Sequence, residues 1–155
     1  CLIDGPLPQG QWNLWQVRQA AIVVVANPRH RLAGWAQVPL EELTGEEFIL
    51  MESSAPYSAG FQRAMAAKGL PVEPFLQLQS AEMALRLVQE GPFLSVLPDY
   101  AVRRAMEEGL VRVLPIPDLQ LVQQVQMVLW RTKVVTPQIQ GFLEELRQAL
   151  AELPG

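Results

Sequence analysis

Ala20-Ala21-Ile22-Val23-Val24-Val25-Ala26-Asn27-Pro28 is an unbroken apolar, β-branched run that stops at a turn. A strand with one wet face would alternate apolar and polar residues, so this run predicts a strand covered on both sides, as in the mainly parallel sheet of an α/β unit. The next residues, Arg29-His30-Arg31-Leu32-Ala33-Gly34, are polar and turn-prone, which suits a chain leaving one structural unit for another.

Strands and helices alternate beyond that point. Strands are predicted at 48–51, 75–78, 93–97 and 110–114, and helices at about 59–68, 81–90 and 99–108. The helices rest on spacing and on their stops. Phe61, Ala64, Met65 and Lys68 fall at i, i+3, i+4 and i+7 before Gly69, and Met83, Ala84, Leu87 and Val88 repeat the pattern between Ser80 as N-cap and Gly91. Ala101, Ala105 and Met106 line the third helix ahead of Gly109. Short loops between alternating elements imply parallel strands with right-handed crossovers.

Pro115-Ile116-Pro117-Asp118 breaks this rhythm and reads as a second crossing. A strand at 125–130 follows, then a helix that Thr136-Pro137 opens as N-cap and N1, with Ile139, Phe142, Leu143, Leu146 and Leu150 as its apolar stripe. The expected organisation is therefore residues 1–29 in lobe one, 30–120 in lobe two, 121–150 returning to lobe one, and 151–155 as a tail. Two crossings between α/β lobes make a hinge and a cleft.

The 155 residues are 50% hydrophobic with a formal charge of −4, enough for a real core and unlike a nucleic-acid-binding surface, which carries clustered Lys and Arg. One cysteine allows no internal disulfide, and no apolar run approaches the roughly 18 residues of a membrane span, which favours a reducing, soluble compartment. Cys1-Leu2-Ile3-Asp4-Gly5-Pro6 reads as the apolar end of a core strand entering a turn, with nothing ahead to pair or cover it. That start is expected of a segment taken from a longer protein, or of a first element that pairs with something outside this chain.

Five segments resemble, in order, the effector-binding domain of LysR-type transcriptional regulators. They are Leu2 to Pro6, Val23 to Ala33, Val38-Pro39-Leu40-Glu41-Glu42-Leu43-Thr44-Gly45-Glu46-Glu47-Phe48-Ile49-Leu50, Ser80 to Gly91, and Thr136-Pro137 through Leu150. In the second of them Arg31 stands where the family often has proline, and directly after the fourth Pro92-Phe93-Leu94-Ser95-Val96-Leu97-Pro98 replaces a glycine-rich turn. The resemblance implies a two-lobed, periplasmic-binding-protein-like (type 2) α/β fold with two crossover strands and lobe one incomplete. It also implies a cytoplasmic regulator without catalytic or metal chemistry, without cofactors and without membrane contact. Its partners would be a small polar or anionic effector and further copies of itself as a dimer or tetramer. DNA would be met only through an absent N-terminal helix-turn-helix. The alternative on the same architecture is a solute-binding protein of an uptake system, which predicts an upstream signal peptide and a monomer.

The effector site is expected where strands run into helices. Ser53-Ser54-Ala55-Pro56-Tyr57-Ser58 offers hydroxyls beside a helix N-terminus, and Gln79-Ser80 forms a second such junction at the carboxyl end of a strand, where ligands gather in open α/β sheets. Both also read as plain N-cap loops. By the resemblance, Ser53, Ser54, Tyr57, Ser58, Gln79 and Ser80 contact effector, Asp4, Gly5 and Pro6 face it from lobe one, and Phe93 narrows the lip of the pocket. His30, the one histidine, reads as solvated or hinge-packing. The paired acids Glu41-Glu42, Glu46-Glu47, Glu107-Glu108 and Glu144-Glu145 read as solvated faces.

Overall fold

A computed structural model describes residues 2–4, 10, 12–52, 55–132 and 134–152. The chain forms two compact units, Ala21–Val122, and Cys1–Ala20 together with Gln123–Gly155. Where the sequence places the changes of lobe at 29/30 and 120/121, the units divide at Ala20/Ala21, inside the apolar strand, and at Val122/Gln123.

The elements, in chain order, are β1 (Leu2–Asp4), β2 (Trp12–Ala26), a 3-10 turn (Leu40–Leu43), β3 (Phe48–Met51), α1 (Pro56–Ala67), β4 (Pro74–Leu78), α2 (Ala81–Glu90), β5 (Leu94–Pro98), α3 (Asp99–Glu107), β6 (Arg112–Val113), β7 (Leu121–Trp130) and α4 (Pro137–Glu152). In the larger unit the strands run β2-β5-β3-β4, with β6 also on β2. β3 is parallel to β5 and β4, while β2 lies antiparallel to β5, pairing Ile22 with Pro98 and Ala26 with Leu94. The sheet is thus mixed. β6 pairs antiparallel with β2 and does not extend the parallel set.

The apolar run in β2 is explained by layers on both sheet faces. Val24, Phe48, Leu50, Leu94 and Val96 point into one core with Phe61 and Met65 of α1. Val25, Ile49, Met51 and Leu97 point into the other with Ala84 and Val88 of α2 and Val102 and Ala105 of α3. Alternate residues of each strand serve opposite cores, so neither face tolerates a polar group without a partner. Ser95 is buried and has one, its hydroxyl donating to the Ile49 carbonyl at 2.7 Å. Full burial of a side chain such as Val25 is worth about 1.5–3 kcal/mol. The Phe48 and Phe61 rings, 5.2 Å apart and tilted by 39°, add an aromatic contact between β3 and α1.

Two helix faces differ from expectation. Ala84 and Val88 are buried on α2 while Met83 is 55% exposed, and on α3 the buried pair is Val102 and Ala105 with Met106 outside. α1 starts at Pro56, three residues earlier than expected, because proline at the first helical position gives up no needed N–H. Gly69 follows α1 with φ +75°, a left-handed conformation that a side chain would strain.

In the smaller unit β1 pairs antiparallel with β7, Leu2 opposite Met127 and Asp4 opposite Val125, and strand order places β7 beside β2. Trp12 meets Trp130 edge to face, with centroids 4.8 Å apart. α4 opens as expected, Thr136 Oγ1 accepting from the Ile139 N–H at 3.4 Å. Its stripe is only partly used, since Leu143 is buried and Phe142 is 62% exposed.

Candidate functional site

β3 and β4 are parallel and adjacent, so their carboxyl ends lie together, and the loops into α1 and α2 leave from the same edge. The Glu52 N–H donates to the Leu78 carbonyl at 2.9 Å, carrying the ladder one residue past β3. Gln79 then reaches back, its amide N–H donating to both Glu52 carboxylate oxygens at 3.1 Å. These contacts join the two strand ends through an acceptor-rich group that the sequence did not single out. The signal for it was available, since Met51-Glu52-Ser53 and Leu78-Gln79-Ser80 have the same form.

The two described serines at this edge work on the protein's own backbone. Ser58 is buried, and its hydroxyl accepts from the Met51 N–H at 3.0 Å, fastening the first turn of α1 to the end of β3. Ser80 caps α2 by accepting from the Met83 N–H at 3.3 Å, as its N-cap position requires, and its own hydroxyl proton remains available to a ligand. Tyr57, in the first turn of α1, is partly buried and packs against both cores. Tyr57, Ser58, Gln79 and Ser80 therefore share one edge of the larger unit.

Phe93 does not join them. Because β5 is parallel to β3, with Phe48 opposite Leu94, a residue just before β5 lies at the amino end of the strands, away from the Glu52 edge. There its ring stacks on Phe75 of β4, with centroids 5.5 Å apart. Asp4 is part of β1 in the smaller unit. Ser53, Ser54, Gly5 and Pro6 lie outside the described residues.

The crossing loop after β2 has its own polar network at that amino end. The His30 side chain is only 5% exposed. Its Nδ1 accepts from the Leu32 N–H at 3.2 Å, which puts the neutral ring's proton on Nε2, 3.1 Å from a Glu46 carboxylate oxygen. Arg31 donates to Glu42 at 2.7 Å and to Glu46 at 2.6 Å. These hydrogen bonds, to Glu42 first and then Glu46, raise the guanidinium pKa further. His30 is thus a packed residue rather than a solvated one, and Glu42 and Glu46 are tethers for the loop rather than a free acidic face. An open cavity of about 490 Å³ borders the network, lined in part by Arg29, His30, Glu46 and Pro92.

Among the described residues no group of three His, Cys, Asp or Glu side chains could hold a metal ion, and no helix is long and apolar enough to cross a membrane.

The order of strands and helices and the likeness to solved regulatory domains define a two-lobed, type 2 periplasmic-binding-like α/β fold. Residues 1–151 match the LysR substrate binding domain, and the chain belongs to that family. It is 25% identical over 126 residues to an uncharacterised HTH-type transcriptional regulator of Methanocaldococcus jannaschii, covering 79% of this chain and 43% of that protein. The chain spans less than half the length of the curated relatives it matches. Among solved structures it resembles the regulatory domain of CcmR from Synechocystis PCC6803 in complex with 2-PG, with a TM-score of 0.83 and 21% identity over 99% of this chain and 74% of that one. It also resembles the effector-binding domain of QuiR in complex with shikimate, with a TM-score of 0.75 and 13% identity over 98% of this chain and 72% of that one. The family and these relatives are regulators rather than enzymes, in keeping with the absence of acid/base dyads from the sequence reading.

Proposed function

We propose that this chain is the ligand-sensing part of a LysR-type transcriptional regulator and that it binds a small polar metabolite at the carboxyl ends of β3 and β4. The observation carrying this reading is the convergence of Glu52, Tyr57, Gln79 and Ser80 on one sheet edge within a LysR substrate binding domain. Carboxyl-end edges of open α/β sheets present loop backbones and helix N-termini together, and few other surfaces offer so many orientable polar groups. Structural neighbours bound to 2-PG and to shikimate support a small, oxygen-rich ligand.

In the whole regulator, ligand would favour one arrangement of the domain and so bias self-association and an N-terminal DNA-binding region, a coupling between binding equilibria rather than catalysis. The test is calorimetric titration of the chain and its Ser54→Ala and Ser80→Ala variants with metabolites that raise its melting temperature. We expect at least tenfold weaker binding in one or both variants. Full affinity in both would remove the site from this edge.

A further inference from the structure

Within the larger unit alone, a cavity of about 530 Å³ opens between the loop after β2, the end of α3, and β6 with the residues that follow it. β6 pairs with the last residues of β2, Arg112 opposite Ala26, and the Val38 N–H donates to the Pro115 carbonyl at 2.8 Å, so the walls are tied to one another. Pro28 and Pro115 stiffen them further. Because Ala26 lies opposite Leu94 at the start of β5, the cavity sits at the amino edge of the parallel strands, away from Glu52.

The side chains around it are of two kinds. Trp35 and Met106 are 42% and 44% exposed, two large apolar groups left open on one concave surface. Arg112 is exposed on the same wall. Arg31, Arg86 and Arg104 each hold a glutamate, whereas Arg112 has no such partner among the described residues, and no described carboxylate lines the cavity. The cavity beside His30 differs in this respect, since Glu46 and Glu90 border it.

We propose that the cavity at Trp35, Met106 and Arg112 is a second ligand site, for an aromatic monocarboxylate. Its volume falls within the roughly 300–1,000 Å³ of small-molecule pockets, which join apolar walls to a few polar groups that fix orientation. A guanidinium takes a carboxylate through two parallel N–H donors, and here no acid competes for it. An indole face and a thioether both favour an aromatic body. A small, hydroxyl-rich metabolite has no such body to set against them, so it is left to the carboxyl ends of β3 and β4. The second site stands whether or not that first one does.

The experiment is calorimetric titration of the chain with phenylacetate and indole-3-acetate, with 2-phenylethanol as the counterpart lacking charge and acetate as the counterpart lacking a ring. At least one aromatic acid should bind once per chain, at least tenfold more tightly than either counterpart. Arg112→Gln, which removes the charge, and Ala36→Trp, which fills the cavity, lie at exposed positions and should each weaken that binding at least tenfold, while Ser80→Ala should leave it unchanged. No binding of either aromatic acid, equal binding of 2-phenylethanol, or unchanged affinity in either cavity variant would overturn the proposal. Binding lost in Ser80→Ala and intact in Arg112→Gln would also overturn it, and would leave the site at the β3 and β4 ends standing.

Discussion

Ser58 and Ser80 occupy equivalent junctions but have different costs of removal. Ser58 is sealed in, so Ser58→Ala strands the Met51 N–H and should destabilise by about 1–3 kcal/mol in urea unfolding. Ser80 lies at an exposed helix start, and Ser80→Ala should cost about 1 kcal/mol, the ordinary value of an N-cap, while weakening ligand binding more than it weakens the fold. The same comparison shows what the sequence could convey. An N-cap serine is recognisable because its partner is three residues away, whereas Glu52 meets Gln79 across 27 residues and requires the pairing of two strands to be known. The burial of Gln123 was hidden for a related reason. The predicted strand starts at Val125, yet β7 begins at Leu121 and buries Gln123.

At the scale of elements, burial on two sheet faces decides which substitutions matter. Phe61 anchors α1 against Phe48 and is fully buried, so Phe61→Ala should cost about 3–5 kcal/mol. Met83, which helical spacing assigned to a buried face, is exposed, and Met83→Ala should change stability by no more than about 0.5 kcal/mol in the same assay. Spacing found the helices because their stops and caps are local. It misassigned Met83 because a four-residue apolar stripe is wider than the line of contact with the sheet. Strand direction explains the fate of Phe93. Residues preceding and following parallel strands lie at opposite edges, so a loop entering β5 cannot share an edge with loops leaving β3 and β4. The first half of β2 escaped notice because Trp12-Asn13-Leu14-Trp15-Gln16-Val17-Arg18 lacks the continuous β-branched character of 20–26.

For the whole molecule, the order of elements and the five LysR-like segments were enough to give the fold, since the first crossover strand runs into Asn27-Pro28, the second follows Pro115-Ile116-Pro117, and each helix has its own start and stop. The central claim concerns where a metabolite lands. Its most direct test is a map of backbone amide chemical shifts in the isotopically labelled chain, titrated with a metabolite that raises its melting temperature. The account predicts that the largest changes among residues of the larger unit fall at Glu52, Tyr57, Gln79 and Ser80, with Phe75 and Phe93 nearly unmoved. Changes centred instead on Phe75, Phe93 and the His30–Glu46 network, with the Glu52 edge silent, would contradict it.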